Sequence, residues 1–157
     1  MGRVFIGVGS NEGDRLACIS AAVRALGETP GLRLVQMAPL LETEPVGGPP
    51  QGPYLNTVVE FETAMPPRAL LSVLQAIERR LGRRPSPERW ARRPIDLDVL
   101  LYGDRVIQEL GLSVPHPRLH ERRFVLEPLA QLAPGFIHPV LQQPIAALLA
   151  RLPQPVT

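Results

Sequence analysis

The sequence predicts an α+β fold of the ferredoxin-like type: an antiparallel sheet with helices in the order β-α-β-β-α-β, followed by C-terminal additions. Three observations carry this. RVFIGVG, YLNTVVEFET and PIDLDVLLYG alternate in the two-residue period of strands, whereas Leu16, Ile19, Val23, Leu26 and Leu70, Val73, Leu74, Ile77, Leu81 recur at helical spacing. Pro- and Gly-rich breaks separate the segments, and neither an internal repeat nor a linker interrupts them, so residues 1–157 read as one domain.

The elements follow in order. Residues 3–9 form a strand with Val4, Ile6 and Val8 on one face, and Asp14 caps the next helix, which ends at Pro30-Gly31. LRLVQMAPLLET is strand-like around Pro39, which fits an edge or a bulge. EPVGGPPQGP is a loop, and YLNTVVEFET returns as a strand with Leu55, Val59 and Phe61 on one face. Pro66 and Pro67 sit where a helix starts. The loop GRRPSPERWARRP leads into the strand at 95–102. A short strand near Val106, a helix near 121–132 and another near 144–151 complete the chain.

Composition narrows the function. At 45% hydrophobic and 20% charged the chain is globular rather than disordered, and a net charge of +2 is too small for a general polyanion binder. All 17 basic residues are Arg, which excludes Schiff-base and P-loop lysine chemistry and leaves Arg forks, backbone amides or a metal for phosphate. The lone Cys18 gives no disulfide framework and reads as a small buried hydrophobe. The apolar run from Val4 to Gly9 is too short for a signal peptide or membrane span, so a cytoplasmic protein is the expectation.

Asp96 and Asp98 pose the main chemical question. Strand alternation puts Ile95, Leu97, Val99 and Leu101 on one face and Asp96, Asp98, Leu100 and Tyr102 on the other. Two carboxylates about 6 Å apart repel by about 3 kcal/mol at an effective dielectric near 20. Pairing with neighbouring arginines is one remedy. Mg²⁺ is the other, since it favours a few carboxylates, waters and substrate phosphates. The loop arginines 83, 84, 89, 92 and 93 flank Trp90 and argue for an anionic substrate such as a nucleoside triphosphate. Trp90 is either core or a stacking surface for a flat ring.

GVGSNEG lacks glycine where Glu12 stands, so it fails the dinucleotide-binding spacing and reads as a strand-end turn. Tyr54 and Asn56 share a strand face, and Asn offers the donor and acceptor that a base or pterin edge requires. Pro117 rules out a helical metal pair at His116 and His120; one of them can instead help Arg122 and Arg123 hold phosphate, and His138 reads as structural.

Taken together, IGVGSNEGD, ETEPVGGPPQGPYLN, QAIERRLGR, ERWARRPIDLDVLLYG and VPHPRLHERRFVLEPL resemble the 6-hydroxymethyl-7,8-dihydropterin pyrophosphokinases of folate synthesis, in order and spacing across essentially the whole chain. The resemblance implies transfer of pyrophosphate from ATP to the pterin hydroxymethyl group with release of AMP. It implies two Mg²⁺ ions on Asp96 and Asp98. It implies a pterin pocket of Thr43, Glu44, Pro45, Val46, Tyr54, Asn56, Trp90 and Phe124. ATP contacts would be Gln75, Glu78, Trp90, Arg93, Val99, Ser113, His116 and Arg122, with Arg83 and Arg93 catalytic. A monomer acting on small molecules, with neither nucleic acid nor membrane as partner, is the corresponding expectation.

Two positions depart from the pattern. Some members carry a further loop arginine where this chain has Pro85, and another basic nucleotide contact falls on Gly111. Two rival readings fit the sequence less well. A nucleotidyltransferase pairs a GS turn with D-x-D, but Ser10 and Asp96 lie two predicted helices and two strands apart. An RNA-binding sheet wants stacked aromatics, and residues 4–9 offer only Phe5.

Overall fold

Gly2–Ser10 forms β1, and its alternating side chains separate two apolar cores. The computed structural model describes residues 2–11, 14–43, 54–82 and 95–153. After β1 come α1 (Arg15–Gly27), β2 (Leu32–Met37), β3 (Leu41–Thr43), β4 (Tyr54–Thr63), α2 (Pro67–Arg80) and β5 (Asp96–Tyr102). They are followed by β6 (Ile107–Glu109), β7 (Leu112–Val114), a 3-10 turn at Leu119–Glu121, α3 (Arg123–Leu132) and α4 (Ile145–Arg151). The main sheet runs β2-β4-β1-β5 with every pairing antiparallel, and β3 continues the β2 edge along β4. This is the expected ferredoxin-like arrangement. Pro39 divides the predicted second strand into β2 and β3, and β2 also shifts register between Leu34 and Gln36.

Local chemistry sets the helix starts. Asp14 Oδ1 accepts the Ala17 N–H at 3.0 Å, satisfying an amide that has no intrahelical partner. Pro66 precedes α2 and Pro67 opens it, where a missing N–H costs nothing. On one side of the sheet, Val4, Ile6, Val8, Val59, Phe61, Leu97 and Val99 pack on Ile19, Ala22 and Leu26 of α1 and Leu70, Leu74 and Ile77 of α2. Leu16 is an exception to the predicted α1 stripe; it is exposed, at the first turn of the helix. Cys18 is only partly buried.

The other side is covered as well. Phe5, Val58, Leu100 and Leu101 pack on Leu119, Val125, Leu126 and Leu129, together with Ile145 and Leu148 of α4. The C-terminal additions therefore close the face that a bare ferredoxin-like unit leaves open. Arg3 lies over Phe5 and Phe136 here, and its Nε donates to the buried Glu60 carboxylate at 2.8 Å while Gln36 Nε2 donates to the same group at 2.7 Å.

Strand β5 corrects one expectation. Ile6 opposes Val99 but Phe5 opposes Leu101, so Leu100 is an extra residue in a bulge. Beyond it the faces exchange: Leu101 joins Leu100 in the second core, and Tyr102 joins Val4 in the first. Strict alternation therefore holds from Asp96 to Leu100, and Leu101 and Tyr102 lie on the faces opposite to those expected. The predicted strand near Val106 is a hairpin of two short strands, and the helix predicted near 121 begins at Arg123 after the 3-10 turn.

Candidate active site

Three strands bring the polar candidates together at one end of the sheet. Gly9 of β1 pairs with Asn56 of β4 on one side and Asp96 of β5 on the other. One step inward, Gly7 pairs with Val58 and Asp98 in the same way. Asn56, Asp96 and Asp98 thus share the face covered by α3, with Asn56 and Asp96 about 10 Å apart at two strand spacings. Tyr54, two residues before Asn56, follows it on that face and pairs with Thr43 of β3. Phe124 sits at the start of α3, which packs against β3 and β4, and Arg122 lies over the Phe124 ring at 5.5 Å.

Both aspartates are partly exposed, whereas Leu97 between them is buried. Leu97 N–H points away from β1, and Glu78 Oε2 accepts it at 2.8 Å. A carboxylate from the last turns of α2 therefore holds the free edge of β5 between Asp96 and Asp98, a contact that sequence reasoning did not anticipate. A helix face that carries Glu78 three residues after Gln75 was its only signal.

Beyond this edge lies a cleft of about 270 Å³ lined by Leu71, Asp98, Val99, Gly111, Ser113 and His116, among others. Three of the residues expected at ATP, namely Val99, Ser113 and His116, are thus brought together with one of the two aspartates. Gln75 and Glu78 share the α2 face that carries Leu71 into the cleft. Gly111, which stands where the motif leads one to expect a basic residue, lines the same cleft with φ at 75°, in the turn of the hairpin.

The β5 bulge also locates His116, whose backbone N–H donates to the Leu100 carbonyl at 2.9 Å. The Arg118 N–H donates to His116 Nδ1 at 3.2 Å, so a neutral ring carries its proton on Nε2. Burial pushes the His116 pKa below its ordinary value; Arg122 and Arg118 lower it further, while Asp96 works in the opposite direction. His116 is therefore within electrostatic reach of both Asp96 and Arg122.

The donor set can be tested against a divalent cation. Two partly exposed carboxylates, held on one strand face beside an open cleft, suit Mg²⁺, which takes few protein ligands and completes its shell with water and phosphate. Among the described residues no three His, Cys, Asp or Glu side chains cluster as a metal cage. The residues fit an ion that arrives with its nucleotide.

Not every candidate can be placed. Glu44, Pro45, Val46, Arg83, Arg84, Pro85, Trp90 and Arg93 lie outside the described residues, and Thr43 is described only as part of β3.

A sequence profile described as 7,8-dihydro-6-hydroxymethylpterin-pyrophosphokinase matches residues 5–134. The chain is similar to the 2-amino-4-hydroxy-6-hydroxymethyldihydropteridine pyrophosphokinase of Aquifex aeolicus, with 37% identity over 145 residues, 92% of this chain and 89% of that one. The Bacillus subtilis protein of the same name is 41% identical over 128 residues, 82% of this chain and 76% of its own. The folic acid synthesis protein fol1 of Schizosaccharomyces pombe is 40% identical over 149 residues; this covers 95% of the present chain but only 20% of that protein. Among solved structures, a Plasmodium falciparum HPPK-DHPS chain crystallised with SDX-DHP superposes with a TM-score of 0.78 at 15% identity, covering 96% of this chain and 44% of that one. At that identity the likeness speaks for the fold alone.

Proposed function

Because the chain belongs to the 7,8-dihydro-6-hydroxymethylpterin-pyrophosphokinase family and transfers pyrophosphate from ATP to 6-hydroxymethyl-7,8-dihydropterin in folate synthesis, we propose how its own residues divide that reaction. Asp96 and Asp98 hold two Mg²⁺ ions. Thr43, Glu44, Pro45, Val46, Tyr54, Asn56, Trp90 and Phe124 hold the pterin. Gln75, Glu78, Trp90, Arg93, Val99, Ser113, His116 and Arg122 hold ATP, with Arg83 and Arg93 as the catalytic cations. The observation that carries the division is the Asn56–Gly9–Asp96 row, which sets a base-reading amide two strands from the carboxylates, with the cleft of Val99, Ser113 and His116 at the outer edge of β5.

In this arrangement the pterin edge docks on Asn56, which both donates and accepts, while Tyr54 and Phe124 hold the ring. The cleft takes the nucleotide, with neutral His116 offering its Nε2 proton and Arg122 its guanidinium to phosphate oxygens. Mg²⁺, when bound, neutralises phosphate charge beside Asp96 and Asp98. The pterin hydroxymethyl oxygen forms a bond to the β-phosphorus as the bond to the α-phosphate oxygen breaks. AMP departs with that electron pair, and the hydroxyl proton is released. Alignment and charge stabilisation supply the acceleration, without a covalent enzyme intermediate. Arg83 and Arg93 enter through the motif that contains them.

Among the described residues no helix is long and apolar enough to cross a membrane. The proposal extends to a monomer in the cytoplasm that acts on these two small molecules. The test is product analysis with ATP, Mg²⁺ and hydroxymethyl-dihydropterin. Pterin-dependent AMP is expected, and Asp96→Ala or Asp98→Ala should lower turnover by about a thousandfold, in the range of lost electrostatic stabilisation. Release of pyrophosphate instead of AMP would mark a nucleotidyltransferase, and turnover unchanged in both variants would remove the aspartates from the site.

A further inference from the structure

Gly9 stands at the tightest point of the row that joins Asn56 to Asp96. A Cβ placed on it would lie 2.7 Å from Asn56 Oδ1, closer than non-bonded atoms approach, but 3.7 Å from the Leu55 carbonyl oxygen, an ordinary contact. The backbone therefore leaves room for a side chain, and only the Asn56 amide occupies it. Gly7, one step along the same face, differs: its Cβ would meet the Leu100 side chain no closer than 3.4 Å. Nor does backbone conformation require glycine at position 9. The described glycines with positive φ are Gly31, Gly82, Gly103 and Gly111. Glycine weakens a strand interior and commonly marks a close approach, here by a side chain.

We propose that Gly9 is a positioning residue for pterin recognition: its missing side chain lets the Asn56 amide lie over β1, so that the amide reads the pterin edge next to Asp96. The inference rests on the reading of Asn56 as a pterin contact. An alanine at this position would push on the far end of a flexible side chain, so the strand persists while the amide rotates away from its reading position. From the sequence GVGSNEG reads as a strand-end turn, because its failed dinucleotide spacing says nothing of what lies across the sheet from Gly9.

The experiment compares Gly9→Ala, Gly7→Ala, Asn56→Ala and the double variant Gly9→Ala/Asn56→Ala. Calorimetry reports binding of 6-hydroxymethyl-7,8-dihydropterin and, separately, of a non-hydrolysable ATP analogue with Mg²⁺. Gly9→Ala should weaken pterin binding about tenfold or more, as expected when a buried polar partner is misdirected, and leave nucleotide affinity within about twofold. Gly7→Ala should bind pterin like the parent. The double variant should bind pterin no more weakly than Asn56→Ala alone, because both changes act through one amide. Full pterin affinity in Gly9→Ala, or losses that add in the double variant, would overturn the inference while leaving Asn56 as a pterin contact. Full pterin affinity in Asn56→Ala would instead overturn the underlying reading. Should Gly9→Ala fold poorly, the double variant should recover its melting temperature, and failure to recover would equally refute the contact.

Discussion

His138 shows how much one side chain can organise. It is buried, and its Nδ1 accepts the N–H groups of Val140 at 3.2 Å and Leu141 at 3.0 Å, while its own N–H and carbonyl close hydrogen bonds with Gln143 and Gln142. The loop before α4 is thus wrapped around one imidazole that must be unprotonated at Nδ1. Burial pushes its pKa below the ordinary 6.5, and the neighbouring His120 acts in the same direction. The native state then binds fewer protons than the unfolded chain between the lowered value and 6.5. The stabilisation is fully present above about pH 6.5 and is lost as pH falls through the lowered value. His138→Asn retains a side-chain oxygen that can accept both amides but does not titrate. Melting temperatures measured from about pH 7 to about pH 5 should therefore fall less steeply in His138→Asn than in the parent. An identical slope in both proteins would show that the loop does not sense this ring. His138→Ala should cost about 2 kcal/mol at neutral pH, the scale of buried amides left unsatisfied. The structural character of His138 was legible from its apolar and proline neighbours, but the double acceptance was not, because it depends on the loop's return path.

Strand β5, which carries the candidate residues Asp96 and Asp98, is held along both edges, by β1 and by the side chain of Glu78. The second restraint predicts a separable effect. Glu78→Ala leaves the Leu97 N–H without its acceptor and should destabilise the protein by about 1–3 kcal/mol, which is a fall of several degrees in melting temperature. Glu78→Gln keeps an oxygen that can accept the same bond and should recover most of that loss. If the glutamine variant melts as low as the alanine variant, the carboxylate charge rather than the acceptor is what matters. Much of this strand was legible: Asp96 and Asp98 mark a face by charge, and Leu97 and Val99 mark the other. After Val99 the residues Leu100, Leu101 and Tyr102 are all buried, so either register hides apolar surface and the two-residue period carries no signal. The bulge at Leu100 was invisible for that reason. So was its consequence that His116 docks on the freed carbonyl beside Asp96. The β6–β7 hairpin escaped for a related reason: three-residue strands are too short to show a period.

At the scale of the molecule, the sheet has a core on each side, and the Asn56–Gly9–Asp96 row lies at one end of the side closed by the C-terminal third. Element order made the first core legible, since α1 and α2 belong to the repeating β-α-β pattern. The second was not, because order alone does not say which surface an appended helix covers. Phe5 on β1 points into that second core while Val4 and Ile6 point into the first, so the central strand ties the two together. The tie extends past the segment matched by the family profile, which ends at residue 134. The Ile145 N–H donates to the Phe136 carbonyl at 3.0 Å, the Ala146 N–H donates to the Pro134 carbonyl at 3.0 Å, and Leu148 is 3% exposed against the second core. Single-domain behaviour follows as an expectation for the whole of residues 1–157. Leu148→Ala should remove about 3 kcal/mol, the usual scale for truncating a buried leucine. For a chain of this size that corresponds to a fall of about 6–12 °C in melting temperature. The decisive reading is the shape of the calorimetric transition rather than its midpoint. If the cores are coupled through β1, parent and variant each melt in one step, with matching calorimetric and van't Hoff enthalpies. A variant that melts in two steps, with α3 and α4 lost before the rest of the sheet, would show that the second core folds independently of the first.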